Sequence, residues 1–500
     1  MICNKQYLKT ISIVFTLFLS MINCNLKIPL KFIQIYNNNE TVPSPSTTMR
    51  NIVYTKAYAE FEIGTPKQLI QIPLSLNSND FYIAGNAQYD FSKNPERYNN
   101  LKFFNSSYSE TCDKVEEKMY NGDNFDYGQY HKDFFYFNDK KVELEFYLPV
   151  VLKTVETGGL GLQLWPVEEE TTSTINDKRT FLRKMKVLGL INEFYWSVFY
   201  NSKDYENKEG FLLIGSLPHT LNTNLGYYKK EYFDSDYLKY IDADIWVDYI
   251  QHIIRFDEAY AFEGTNKEKK ISEIEFPVTN KRLSTIELNY NIGGIQAPYI
   301  FFPYFEKFFE EYISKGECFS DTFSLPKRKY YFYCKNDKNL ITKIKQKFPG
   351  FNFKSVGLYF NFSLIGDDLF FEKNNYVYLL MFFDSALGNS WIMGRPFLQK
   401  YQFFINPDKK NINFYSNSDM MNKNEEKAEE TNNNKKSNTI LYIIIIVWLI
   451  IIIVLGFFLW KYYSEAKNIK KKRANELDDD YDYQQKKDLT GKEYTNPINE

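Results

Sequence analysis

Short runs of alternating hydrophobic and polar residues recur along the chain from residue 51 to about residue 415. Examples are "FYFNDKKVELEFYLPVV", "GFLLIGSL" and "KYQFFINPDKKNINFYS". Strict alternation places the apolar side chains of an extended strand on one face, so these runs predict half-buried β-strands. The turn residues in Phe137–Lys141 and Asn406–Asn411 predict hairpins between such strands. The pattern therefore favours a protein that is mainly β.

Helical periodicity is scarce in the same region. The clearest cases are Arg179–Ile191 and Pro303–Gly316, of which the second begins at proline and ends at glycine. Those two residue types are typical of the first position of a helix and of the position just after its end. We therefore expect few helices among many strands.

The N-terminal end departs from the strand pattern. The apolar run Ile11–Ser20 follows Lys5 and Lys9 and has about the length of a signal-peptide core. Residues 1–24 are therefore expected to be a cleaved secretory signal, and a buried strand of the mature protein is the alternative. The next residues, 25–50, are polar and are expected to be a loose arm or the remnant of a pro-segment.

The C-terminal end carries a second long apolar run. Ile440–Trp460 contains no charged residue and matches the length that crosses a bilayer. More lysine and arginine residues follow this run than precede it, so a single transmembrane helix at 439–460 is expected to leave the tail, 461–500, in the cytosol. The preceding residues, 421–438, lack apolar content and are expected to form a disordered stalk.

Composition narrows the possible functions. The 500 residues include 61 Lys and Arg against 63 Asp and Glu, so net charge gives no reason to expect a nucleic-acid partner. No metal-ligand cluster or phosphate-binding loop is found, and the three histidines, His131 among them, lie in no motif that would activate a nucleophile. We therefore expect no metal and no cofactor.

Cysteines and glycosylation sequons agree with a secretory route. Removal of the signal leaves three cysteines, Cys112, Cys318 and Cys334, which permit one disulfide in an oxidising compartment. The remaining thiol is either buried or free for an intermolecular disulfide. Three sequons offer acceptor asparagines, at Asn39, Asn105 and Asn361.

Seven segments resemble, in order, landmarks of the pepsin family of aspartic proteinases, whose membrane-anchored members include beta-secretase. They are "YAEFEIGTPKQLIQI" (Tyr58–Ile72), "FFNSSYSETC" (Phe103–Cys112), "MYNGDNFDYGQY" (Met119–Tyr130), "GGLGLQLWP" (Gly158–Pro166), "GFLLIGSL" (Gly210–Leu217), "ECFSDTFSLPKRKYYFYC" (Glu317–Cys334) and "NSWIMGRPFLQKYQFFINPDKKNINFY" (Asn389–Tyr415).

The resemblance implies a bilobal, mainly β fold with an N-lobe at 51–218 and a C-lobe at 219–420. It implies a cleft between the lobes that takes an extended peptide under a flap, with Tyr120 as the flap tyrosine and Ser78, the last residue of the first catalytic turn, as a cleft residue. It also implies that Cys318 and Cys334 form the disulfide of the second lobe.

Both acids of the family's catalytic pair are replaced in this chain. The family's spacing from "GTP" places Ser75 where the first Asp belongs, and the spacing before "FFPYFEKF" places Gly294 where the second belongs. An alternative register puts Asn289 at the second position. The nearest acids, Asp80 and Glu287, lack the surrounding turn residues of the family motif.

These replacements predict an inactive homologue that binds a peptide or protein in its cleft and is anchored to a membrane of the secretory pathway, the endolysosomal system or the cell surface. One alternative is an active aspartic endopeptidase that uses Asp80 or Glu287. Another is a structural surface protein whose cleft is filled by aromatic side chains. An open groove under Tyr120 would favour binding, and a filled one would favour a structural role.

Overall fold

The computed structural model describes residues 25–34, 43–76, 78–85, 101–122, 124–137, 140–153, 157–164, 180–202, 205, 208–215, 217, 227–228, 253–256, 258–264, 271, 284–324, 328–355, 360–384, 390–408, 411–415 and 461. The predicted signal, Asn39, the stalk and the predicted membrane span lie outside these residues. None of the helices within them is long and apolar enough to cross a bilayer. The chain divides into two compact units, Met1–Ser418 and Asp419–Glu500, and everything below concerns the first.

The first half of the chain forms most of one large sheet, in which thirteen strands are described. They are β1 (Leu26–Gln34), β2 (Thr55–Ile63), β3 (Gln68–Ser75), β4 (Phe81–Ile83), β5 (Asp113–Tyr120), β6 (Phe125–Phe137), β7 (Lys140–Leu152), β8 (Gly158–Gly161), β9 (Trp196–Tyr200), β10 (Glu209–Ile214), β11 (Tyr227–Tyr228), β23 (Gln402–Asn406) and β24 (Asn411–Tyr415). Their order is β11-β24-β23-β9-β10-β1-β2-β3-β8-β4-β7-β6-β5. The last two strands of the unit thus return to the sheet of the first half.

The second half forms a second sheet, with eight described strands, and a small third one. The second sheet contains β12 (Ile253–Phe256), β14 (Ser284–Leu288), β15 (Ile295–Pro298), β16 (Cys318–Ser324), β17 (Arg328–Lys335), β20 (Phe370–Lys373), β21 (Tyr376–Asp384) and β22 (Trp391–Met393). Its order is β12-β14-β22-β15-β21-β17-β16, with β20 paired to β21. The third sheet consists of β13 (Glu258–Phe262), β18 (Gly350–Ser355) and β19 (Phe360–Leu364).

Helices are few among the described residues, as the sequence predicts. They are α1 (Pro45–Val53), α2 (Phe181–Val187), α3 (Phe302–Ser314), α4 (Lys338–Lys347), α5 (Gly366–Leu369) and α6 (Arg395–Lys400), with short 3-10 turns at Ser106–Tyr108 and Tyr299–Phe301. The two helices predicted from periodicity correspond to α2 and α3. The mainly β character predicted from the alternating runs is confirmed.

Both hairpins predicted from turn residues are present. Strands β6 and β7 pair antiparallel from Phe125↔Leu152 to Phe137↔Lys140. Strands β23 and β24 pair as far as Asn406↔Asn411. Along much of β6 and β7 buried positions alternate with less buried ones, whereas all five residues of β23 are buried.

The disulfide implied by the family resemblance is confirmed. Cys318 and Cys334 face each other across the antiparallel pair β16 and β17, and their sulfurs are bonded. Both side chains are buried. Cys112 is a free, half-buried thiol.

The segment expected to be a loose arm is instead built into the fold where the structure describes it. Strand β1 lies between β10 and β2 and pairs antiparallel with both. Helix α1 follows, and the hydroxyl of Ser44 accepts a hydrogen bond from the N–H of Thr47 at its start. Pro45 occupies the first turn, where its missing N–H costs no helical hydrogen bond.

Helix α1 packs on the second sheet, although the strands on either side of it belong to the first. Met49 and Val53 are fully buried in one apolar cluster with Tyr331, Tyr378 and Phe382, among others. The hydroxyl of Ser46 also donates to a main-chain carbonyl of β16. The helix therefore ties the two sheets together within this unit.

Candidate functional site

The first candidate turn follows β3 in the first sheet. Strand β8 pairs with β3 on one side, in parallel, and with β4 on the other side, antiparallel. Leu160 of β8 pairs with Leu74 on one side and with Phe81 on the other. The turn that joins β3 to β4 begins at Ser75 and therefore bends around the end of β8.

The second sheet repeats this arrangement. Met393 of β22 pairs with Leu288 of the parallel strand β14 and with Ile295 of the antiparallel strand β15. Strands β14, β22 and β15 thus correspond to β3, β8 and β4. Ser75 follows Leu74 directly, as Asn289 follows Leu288. The strand pairing therefore makes Asn289 the counterpart of Ser75.

This correspondence corrects the position assigned to Gly294. Gly294 directly precedes Ile295, so its counterpart in the first turn is Asp80, which directly precedes Phe81. A Cβ atom on Gly294 would lie 2.9 Å from the main-chain oxygen of Leu380, so this position faces β21 and not the first turn. The register that placed Asn289 at the second acid position is the one that the strand pairing favours.

A cavity of about 250 Å³ lies where the two turns meet. Its described lining comes from both sheets: Lys56, Pro73, Leu74, Ser75, Leu76, Tyr82, Asn124, Gly158, Gly159, Glu287, Asn289 and Asn291. Ser75 and Asn289 thus share one cavity, and neither carries a carboxyl group. The described lining mixes neutral polar side chains with apolar ones and includes two charged residues, Lys56 and Glu287.

The side chain of Asn291 joins the two turns directly. Its Oδ1 accepts a hydrogen bond from the N–H of Ala57 at 3.2 Å, and its Nδ2 donates to the carbonyl oxygen of Leu74 at 3.4 Å. Its own N–H donates to Oδ1 of Asn289 at 2.9 Å, which closes the second turn on itself. One amide therefore positions β2, β3 and the second turn relative to one another.

An aromatic contact reinforces this junction. Tyr290, the residue between the two asparagines, is 2% exposed, and its ring packs edge-on against Trp196 of β9 with the ring centroids 5.8 Å apart. Burial raises the pKa of the Tyr290 hydroxyl well above its ordinary value, so it stays protonated. The second turn is thus anchored in the first sheet by packing as well as by hydrogen bonds.

The first turn is held by hydrogen bonds from the two residues that follow β8 in its own sheet. The N–H of Leu162 donates to the carbonyl oxygen of Ser75 at 3.1 Å. The side-chain amide of Gln163, which is buried, donates to the carbonyl oxygen of Leu76 at 2.8 Å. These bonds fix the main chain directly after the Ser75 side chain.

Glu287 is the one carboxylate among the described residues of the cavity lining. It lies on β14, two residues before Asn289, whose Nδ2 donates to Oε1 of Glu287 at 3.1 Å. Burial raises the pKa of this carboxyl, and the hydrogen bond from Asn289 acts in the opposite direction. The sequence singled out Glu287 as the nearest upstream acid but gave no sign that it faces the cavity.

Asp80, the other acid considered, lies elsewhere. It is 4% exposed, and its N–H donates to Oγ of Ser78 at 3.1 Å. Ser78 is buried in turn, and its carbonyl oxygen accepts from the N–H of Gln163. Ser78 therefore stabilises the first turn through these hydrogen bonds. It is absent from the described lining of the cavity.

Tyr120 folds back onto its own sheet. Its hydroxyl donates to Oε2 of Glu116 at 2.6 Å, and its ring lies 5.5 Å from that of Tyr147, centroid to centroid. It covers a cluster of buried aromatic rings that includes Phe125 and Tyr130. Asn124 at the turn between β5 and β6 reaches the cavity, and Tyr120 is not among its described lining residues.

Helix α1 covers the face of the second sheet that corresponds to the face of the first sheet on which Tyr120 packs. Tyr147 lies beside Tyr82 across the parallel strands β4 and β7, and Phe382 lies beside Gln296 across β15 and β21. Phe382 thus corresponds to Tyr147, and it belongs to the cluster covered by Met49 of α1. Helix α1 therefore packs over Phe382 as Tyr120 packs over Tyr147.

The two described glycosylation sequons lie away from the cavity. Asn361 is exposed on β19. Asn105 is half-buried, and its Oδ1 accepts a hydrogen bond from the N–H of Ser107, the third residue of its own sequon. Asn361 is thus the more accessible acceptor of the two.

Known proteins give no independent identification. No family model matches the chain, and no curated protein matches its sequence. Among the described residues, no group of three or more His, Cys, Asp or Glu could hold a metal ion.

Proposed function

We propose that this chain is a membrane-anchored protein of the pepsin fold that binds an extended peptide or protein segment without hydrolysing it. The observation that carries the proposal is the shared cavity, in which Ser75 and Asn289 occupy matched turns of the two sheets. These are the positions at which an aspartic proteinase needs its two acids.

The chemistry of these two residues excludes the aspartic mechanism at that point. In an aspartic proteinase, two close carboxyl groups share one proton, and together they activate a water molecule. A serine hydroxyl and an asparagine amide do not ionise in the range where carboxyl groups do, but both donate and accept hydrogen bonds. They suit the amide groups of a peptide backbone.

The bilobal fold belongs to this proposal. It is supported by the matched arrangement of three strands in each sheet and by the meeting of the two turns at one cavity. In such a groove, an extended segment binds through backbone hydrogen bonds, and pockets for its side chains select the sequence.

Membrane anchoring and a secretory location are likewise proposed. They rest on the predicted signal at 1–24 and the predicted span at 439–460, both outside the described residues. The Cys318–Cys334 disulfide supports an oxidising compartment, because such bonds are rare in the cytosol. The secretory pathway, the endolysosomal system and the cell surface all meet this condition.

A degenerate mixture of ten-residue peptides tests the proposal. The full-length chain in detergent is immobilised and incubated with the mixture at neutral and at acid pH, and retained and released peptides are sequenced by mass spectrometry. We expect a subset of peptides to be retained intact at neutral pH and no peptide to be cleaved at acid pH. Cleavage at acid pH that a pepstatin-like inhibitor blocks would show that the chain is an endopeptidase.

Glu287 favours an active endopeptidase as the second candidate function. Its carboxyl lines the cavity beside Asn289, and burial raises its pKa above the ordinary value. A single carboxyl gives no acid pair, so this candidate requires a second group from the substrate or the chain. It predicts cleavage that Glu287→Gln abolishes.

A further inference from the structure

Glu287 lies in an apolar stretch of its own sheet. On β14 it is flanked by Ile253 of β12 on one side and by Ile392 of β22 on the other. Its side chain is half-buried and projects to the cavity wall. These two cross-strand partners therefore offer no charge to balance a carboxylate.

The charge of Glu287 is unbalanced within the described part of the chain. Its hydrogen-bond partner there is the neutral amide of Asn289, and it forms no ion pair there. Burial without a cation disfavours the ionised carboxylate and raises the pKa of the group. A cation that reaches this half-buried acid and hydrogen-bonds to it would stabilise its ionised form.

The remaining wall leaves room for such a cation. A carboxylate can accept about four hydrogen bonds, and Asn289 supplies one of them, to Oε1. The first sheet contributes Ser75 and Asn124, which are neutral, and Lys56 of β2 to the same lining. The acid in the described lining thus comes from the second sheet and the base from the first.

The cavity is sized for a side chain. Its volume of about 250 Å³ is below that of sites that enclose a whole drug-sized molecule, which hold roughly 300–1,000 Å³. It is open to the groove between the two turns, where the proposed peptide backbone would run. A long side chain can enter it while the backbone remains outside.

We propose that the groove selects peptide segments with a lysine or arginine side chain, whose cationic group enters the cavity and pairs with Glu287. This inference rests on the proposed function, because it assumes that a peptide lies across Ser75 and Asn289. A charge-assisted hydrogen bond in a partly buried site is roughly twice as strong as a neutral one. The basic side chain therefore supplies much of the selectivity.

The test compares matched peptides on matched variants of the full-length chain in detergent. Peptides retained from the degenerate mixture are sequenced, and the best is resynthesised with norleucine in place of each lysine. Binding is measured for the wild type, for Glu287→Gln and for Glu310→Gln, a control on the exposed side of α3. Circular dichroism checks that all three are folded.

We expect lysine or arginine to be enriched at one position of the retained peptides. The lysine peptide should bind the wild type about tenfold more tightly than its norleucine analogue. Glu287→Gln should remove this difference, and Glu310→Gln should keep it. If n-butylammonium alone binds as tightly as the peptide, the site is one for free amines and the inference is wrong.

The outcomes separate this inference from the function on which it rests. Retained peptides without any basic preference, or a lysine advantage that survives Glu287→Gln, would overturn the role of Glu287 and leave peptide binding intact. Retention of no peptide at all would overturn the proposed function and this inference together.

Discussion

Asn291 shows how much of the groove depends on one side chain. It bonds to main-chain groups of β2 and β3 from a turn of the second sheet. Its residue type alone does not reveal this role, because an Asn-rich turn is equally common at the surface. Ser75 could be assigned from its spacing to "GTP", whereas choosing Asn289 over Gly294 required the pairing of β14 with β22.

Replacement of Asn291 by alanine should destabilise the chain. The change removes both side-chain bonds and leaves the N–H of Ala57 and the carbonyl of Leu74 without that partner. We expect the free energy of unfolding to fall by about 1–3 kcal/mol, measured by chemical denaturation. Asn336→Ala, at an exposed position, is the control and should change it by less than about 0.5 kcal/mol. Equal effects of the two variants would contradict the bridging role.

Cys112 should react slowly with alkylating reagents in the folded chain. Burial, with smaller contributions from Asp133 and Asp113, raises the pKa of its thiol to about 12, and the thiolate is the reactive form. At mildly alkaline pH, iodoacetamide should label it roughly a hundredfold more slowly than in denaturant, or slower still. Mass spectrometry of the Cys112 peptide measures both rates. Similar rates would show that the thiol is exposed, as an intermolecular disulfide requires.

At the scale of elements, strands were easier to predict than helix α1. Alternation predicts β6 and β7, in which buried and less buried positions alternate, and turn residues predict the hairpin of β23 and β24, in which β23 is buried throughout. The nine residues of α1 include two threonines and one valine, which are weak helix formers, and its length is marginal for an isolated helix. Its helicity depends on packing against the second sheet, and no local pattern encodes that contact.

Truncation of Met49 should show that α1 is integral to the fold. Met49 is fully buried in the cluster with Tyr331 and Phe382, so Met49→Ala should lower the free energy of unfolding by about 2–5 kcal/mol. Met119→Ala is the matched control, because Met119 is 44% exposed on β5. Chemical denaturation of the two variants measures the difference. A loss below about 0.5 kcal/mol at Met49 would mean that residues 45–53 are a detachable arm.

At the scale of the whole molecule, strands from both ends of the first compact unit join its first sheet. Strand β1 enters the middle of the first sheet, and β23 and β24 return to it from the other end of the unit. Alternation predicts that these strands exist but not which strands they pair with, because a partner is chosen by packing across the fold. The junction of the two turns, and with it the candidate site, depends on those distant pairings.

Peptide binding in the space between the two turns is tested most directly by filling that space with a bulky side chain. Ser75→Trp places a large ring in a cavity of about 250 Å³, and Ser320→Trp places the same ring at an exposed position of β16. Binding of a retained peptide is measured on both variants of the full-length chain, after circular dichroism has checked their folding. We expect Ser75→Trp to lower the affinity at least about tenfold, as for a blocked site, and Ser320→Trp to leave it unchanged. Undiminished binding by a folded Ser75→Trp variant would contradict the account.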